Sequence, residues 1–177
     1  APNWGVPCVG AESDFALAAD GKTCLCPDAA DGDQGTLLIN GQPTTFTKRN
    51  RTQLEGLINN DPTDPQIALT CTSGITDMKD LFRSKSTFNQ DLSGWDVSNV
   101  TDMRRMFLNS GFNQDISNWD VSNVINMSQM FENTPFNHPL GGWDVSSATT
   151  MQLMLKLNTD FNQSIVNWDV SSVTNMR

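Results

Sequence analysis

Four aspartates recur with their surroundings: Asp96, Asp120, Asp144 and Asp169 each stand in a W-D-V-S run, 24 or 25 residues after the last. Carboxylates stacked ~5 Å apart repel by roughly 1 kcal/mol per pair even at the dielectric of water, so something must compensate. The D-x-S pattern supplies an Asx-turn, in which each Asp accepts the N–H of the Ser two residues on. A row of calcium ions is the competing reading, although calcium normally takes more carboxylates per ion than one per repeat offers. A parallel row of amides, Asn89, Asn113, Asn137 and Asn162, is expected to bond the backbone of neighbouring copies, because buried amides must find partners. The sole histidine, His138, lies beside Pro139 with no Ser or Cys nucleophile paired to it. Nothing here meets the demand for nucleophile, base and orienting group together, so the sequence reads as non-enzymatic, with calcium the only cofactor worth weighing.

Cysteine chemistry is confined to the front of the chain. Cys8, Cys24, Cys26 and Cys71 predict two disulfides stapling a region too small to build its own core. A Cys24–Cys26 bridge is disfavoured by its one-residue spacing; the other pairings stay open. Zinc is the rival, but there is no C-x2-C pair and no nearby His. Sequons at Asn50, Asn99, Asn126 and Asn162 offer attachment points for glycans in a secreted protein.

The elements that must position these residues follow from one period. Phe88-Asn-Gln-Asp-Leu-Ser-Gly-Trp95-Asp-Val-Ser-Asn-Val100-Thr-Asp-Met103-Arg-Arg-Met106-Phe107 aligns with segments starting at Phe112, Phe136 and Phe161. Counting back 25 from Val100, Met103 and Phe107 lands on Ile75, Met78 and Phe82, so the repeat phase begins just after Cys71. Leu92-x-x-Trp95-x-Val97 has leucine-rich-repeat spacing, with Trp95, Trp119, Trp143 and Trp168 in the second apolar slot. Trp95 and Val97, two apart, predict a short strand. Val100, Met103, Met106 and Phe107 recur at three and four, which predicts a short helix. The expected fold is therefore an α/β, leucine-rich-repeat-like solenoid of a short strand plus a short helix per turn. Its repeats occupy 71–177, behind a disulfide-stapled cap at 1–70.

Within that cap, 1–34 reads as irregular. Thr36-Leu37-Leu38-Ile39, Asn40-Gly41 and Thr44-Thr45-Phe46-Thr47 read as a hairpin. Asn50 with Gln53 signals the start of a helix bearing Leu54, Leu57 and Ile58, which Pro62 and Pro65 follow. The formal charge of −9 argues against nucleic acid, whose binding needs clustered Lys and Arg. No apolar run approaches the ~20 residues that would span a bilayer. A start at Ala1 without Met fits a secreted protein whose signal peptide has been removed.

With those residues in view, the unit F-N-x-D-[IL]-S-x-W-D-V-S-x-V-T-x-M-x-x-M-F resembles the BspA-like leucine-rich-repeat surface proteins over about 72–177. The resemblance implies a secreted or surface-attached microbial protein, adhesive or structural, without catalytic activity. The third copy departs from the unit at His138-Pro139, Ala148 and Leu155. Two functional readings follow. One is a non-enzymatic extracellular structural protein, whose unfinished last unit at Arg177 meets the front of an identical subunit head-to-tail to build a surface or matrix fibre. The other is a cell-surface adhesion module, whose nearly identical outward positions bind something equally periodic such as a glycan, or a host or partner protein.

Overall fold

A computed structural model describes residues 14–176. Cys8, the remainder of the 1–13 stretch and Arg177 lie outside the described residues. The front region forms where local signals are strong. Two short strands, β1 (Ala16–Leu17) and β2 (Cys24–Leu25), pair antiparallel inside the stretch expected to be irregular. The strands β3 (Gln34–Ile39) and β4 (Gln42–Lys48) make the hairpin. Its turn residues Asn40 and Gly41 both have positive φ, 51° and 78°, as a two-residue turn matched to strand twist requires. A third strand, β5 (Thr70–Cys71), pairs parallel with Thr47 and Lys48. Helix α1 (Arg51–Asn60) opens on a capping box in which Asn50 accepts from Gln53 N and Gln53 reaches back to the Asn50 N–H. Leu54 and Ile58 are its buried face.

Beyond Cys71 the expected α/β leucine-rich-repeat-like solenoid is not found. Among the described residues the only α-helix is α1 and every strand lies in the first 71 residues, so neither a strand nor a helix recurs in each repeat. Trp95 and Val97 are both buried, but Trp95 N–H donates to Leu92 O and Val100 N–H to Val97 O, closing two tight turns where a strand was expected. Regular pairing shrinks to single parallel bridges, Asp77 to Asp102, Asp102 to Asn126, Asn126 to Thr150 and Thr150 to Asn175.

The missing helix has a physical reason. Val100, Met103, Met106 and Phe107 are all fully buried, so the apolar spacing is real. Two competing bond patterns use the backbone instead. Met106, Leu108 and Ser110 donate back three residues, to Met103, Arg105 and Phe107. Met103, Arg105, Phe107 and Asn109 donate sideways to Asn126, Ser128, Met130 and Glu132 of the next copy, at 2.9–3.0 Å. Arg105 and Asn109 take positive φ (56° and 57°), which an α-helix forbids. The same pair of positive-φ positions recurs at Asp80 and Ser84, Gln129 and Asn133, and Leu153 and Leu157. A helix this short would leave most of its N–H groups without partners, whereas lateral bonding satisfies them.

One hydrophobic core runs from Leu54, Ile58 and Ile67 through Met154. Inside it Phe82, Phe107 and Phe131 form one column with centroids 5.5 and 5.7 Å apart, and Phe88, Phe112, Phe136 and Phe161 a second at 5.9, 6.1 and 6.4 Å. Phe15, Cys24, Cys26, Phe46 and Cys71 make a second, smaller cluster in the front region. Gly35 has no side chain because a Cβ there would overlap the Phe15 ring.

Candidate interaction surfaces

The repeated polar residues are consumed by contacts within and between copies. Each aspartate of the W-D-V-S run closes an Asx-turn: Ser98, Ser122, Ser146 and Ser171 donate their N–H to Asp96, Asp120, Asp144 and Asp169 at 3.0–3.1 Å. Asp144 lies below the ordinary carboxylate range because the Ser146 hydroxyl and N–H stabilise its anion, against a small opposing push from Asp169. Asp169 is lowered in the same way by the Ser171 N–H and hydroxyl. Among the described residues, no group of three or more His, Cys, Asp and Glu is placed to hold a metal ion.

Asn89, Asn113 and Asn137 each accept, through the side-chain oxygen, the backbone N–H of the Asn one copy on, at 2.8, 3.0 and 3.1 Å. The indoles bond in the same sense. Trp95, Trp119, Trp143 and Trp168 donate Nε1–H to Ile67, Leu92, Ile116 and Leu140 carbonyls, one copy back, at 2.8–3.2 Å. His138 places Nε2 3.2 Å from Asn113 O and its ring against Phe136.

A buried polar knot joins the front region to the first copy, and the sequence alone did not signal it. Ser73 Oγ donates to Asp96 Oδ2 at 2.5 Å and accepts from Cys26 N–H at 3.0 Å. The Lys48 ammonium donates to Ser73 O. Burial pushes the Lys48 pKa down, while Asp31 and Asp96 act against that push. The available clue was register, since Ser73 stands 25 residues before Ser98. Cys26 and Cys71 form a disulfide with a Cα separation of 6.3 Å. Cys24 is a buried thiol pushed up to about 12, first by burial and then by the Asp96 charge. The β1–β2 hairpin lies on the first copy's outward face through Cys24 N–H to Gly94 O at 2.9 Å. It reaches the second copy where Asn118 Nδ2 donates to Asp20 Oδ2 at 3.0 Å. The outward positions of the later copies, Asp120, Gly142, Asp144 and Asp169, are exposed.

The sequon asparagines differ in availability. Asn50 is committed to the α1 cap and to Asp31. Asn126 is half-buried in the bridge ladder and accepts Ser128 N–H. Asn99 and Asn162 are exposed.

An apolar opening lies at the rear of the repeats. A cavity of about 520 Å³ is walled by Met151, Met154, Leu155, Ile165, Trp168 and Met176, among others. Val166 is 85% exposed and Leu157 64%. The N–H groups of Leu155 and Leu157, counterparts of Phe131 and Asn133 that donate to Met154 and Lys156, meet no acceptor among the described residues. At the opposite end α1 seals the core, with Thr52, Gln53, Glu55 and Asn59 turned to solvent and Arg51 donating to Lys79 O at 2.8 Å.

These features define a chain of repeated sequence units bonded side by side, behind a front region of two small sheets and one helix. Its family is that described as "Mycoplasma protein of unknown function, DUF285", whose model matches residues 52–155 and 110–177, and the chain belongs to it. Comparison with curated proteins gives no match, and neither does comparison with solved structures. No helix among the described residues is long and apolar enough to cross a membrane. The Cys26–Cys71 disulfide is compatible with an extracellular setting.

Proposed function

We propose that this chain is a non-enzymatic, extracellular structural protein of the BspA-like surface type, which joins copies of itself end to end. The observation that carries the reading is that the repeated polar side chains are spent on holding copy to copy, which suits a scaffold. The exposed row of Asp120, Asp144 and Asp169 favours a second reading, an adhesion module that displays this face to a glycan or a partner protein.

Light scattering of the 177-residue chain across a dilution series tests the first reading, with electron microscopy of the concentrated sample. Association that grows with concentration and is abolished in Val166→Asp with Leu157→Asp is the expected result. A monomer at every concentration that binds glycan would overturn it in favour of adhesion.

A further inference from the structure

We propose that a groove between the front region and the first two copies is a binding site for a short neutral oligosaccharide. The ligand class rests on the adhesion reading above, and the site lies away from the exposed aspartate row. Two hollows of about 370 and 130 Å³ make the groove, and they share Lys22, Asp91 and Ser93. The larger alone falls in the range of roughly 300–1,000 Å³ of small-molecule sites. Every residue lining the groove lies between Lys22 and Asn118, well inside the chain.

The front region builds an apolar end. Ile39 closes β3, Phe46 lies in β4, and Ala68 and Leu69 lead into β5. The copies build a polar end. Asp91 and Asp115, at equivalent positions, accept the N–H of Ser93 and Ser117 at 2.8 and 2.9 Å. Each turn takes that N–H on Oδ1, and a carboxylate has a second oxygen to accept with. Asn40 and Gln114 add amides, which both donate and accept. At the positions of the Asp and Ser, the third copy carries Pro139 and Gly141 and the fourth Ser164 and Val166. Among the four copies, the acid and hydroxyl pair therefore occurs in the two that line this groove.

Charge decides the ligand class. One cation, Lys22, stands against two carboxylates, Asp91 and Asp115. The Ser117 N–H and hydroxyl hold Asp115 below the ordinary carboxylate range against partial burial, with smaller help from His138 and Lys22. A phosphate or sulfate would meet net repulsion here. A peptide backbone finds little to pair with, because the Ser93 and Ser117 N–H groups are already spent on their turns. Carboxylates, amides and hydroxyls beside an apolar wall suit a sugar, whose hydroxyls donate and accept while its C–H face packs on apolar carbon.

The test is an array of gluco-, manno-, galacto- and N-acetylglucosamine trisaccharides with their sulfated counterparts, probed with the 177-residue chain and followed by amide NMR titration. Saturable binding of at least one neutral trisaccharide is expected, with shifts at Ser93, Gly94, Gln114 and Ser117. Its affinity should hold within about twofold between about 0.05 and 0.5 M salt, as screening acts on charged ligands. Gln114→Ala, and Asp91→Asn, which keeps an oxygen for the turn, should each weaken binding about fivefold or more. Ile125→Ala, exposed and outside the groove, should leave it unchanged. Preference for a sulfated trisaccharide, or binding that leaves those four amides unmoved, would overturn the proposal. Shifts gathered at Asp120, Asp144 and Asp169 would overturn the groove and leave the adhesion reading standing, whereas no binding across the array would overturn both.

Discussion

The second and fourth copies are written with nearly the same residues and are buried to very different extents. Phe112, Ile116, Trp119 and Val121 in the second copy are at most 4% exposed. Their equivalents Phe161 and Trp168 are half-buried, and Ile165 and Val170 are 37% and 39% exposed. Sequence sets which side chains face inward. The neighbouring copy decides whether inward means dry. In this fold burial belongs to the contact between copies, as nearest-neighbour stability in repeat proteins requires.

Truncating the same residue in the two copies gives the largest separation. Trp119→Ala is expected to cost about 3–5 kcal/mol in urea unfolding, through cavity formation and loss of the bond to Leu92 O. Trp168→Ala, half-open already, should cost no more than about 2 kcal/mol. Equal costs would break the comparison. Next in size is the front staple. Removing Cys26 and Cys71 together, as Ser, should lower stability by about 2–5 kcal/mol, seen as a lower urea midpoint for the front region.

A smaller effect of opposite sign sharpens the contrast at the rear. Leu157 is exposed at φ 57°, where its counterparts Asn109 and Asn133 carry the residue type that tolerates a left-handed backbone. Leu157→Asn should therefore raise stability by up to about 1 kcal/mol, while Asn133→Leu should lower it.

The smallest effect is with pH. Asp144 and Asp169 have folded-state pKa values depressed by their Ser partners. Each thus contributes stability that is present above its unfolded pKa and is lost as pH falls through the folded one. Carboxyl NMR titration should show Asp144 moving up toward its ordinary value in Ser146→Ala. Asp20 should be among the last carboxyls to protonate, at about 2. Partial burial raises it, but bonds from Thr23, the Lys22 N–H and Asn118 outweigh that rise.

Local chemistry was legible in the sequence. The Asn40–Gly41 turn, the Asn50–Gln53 capping box and the D-x-S turns each depend on residues within three positions of one another, so the chain's own text contains both partners. The apolar register was legible for the same reason. The backbone between those positions was not. Met103, Met106 and Phe107 at three and four apart fit a helix and a run of tight turns equally well, and the choice fell to N–H groups whose acceptors lie 23 residues away. The Lys48, Ser73 and Asp96 knot was hidden likewise, because its members come from three separate stretches.

The repeats are held by N–H groups donated sideways to the next copy. Amide hydrogen exchange measures this directly. Arg105, Phe107, Gln129 and Phe131 should exchange slowly, while Leu155 and Leu157, in the same positions with no acceptor among the described residues, should exchange at least about a hundredfold faster, the factor for a ~2.7 kcal/mol difference in opening. Equal protection at all six amides would show that each copy satisfies its own backbone, and would contradict the account.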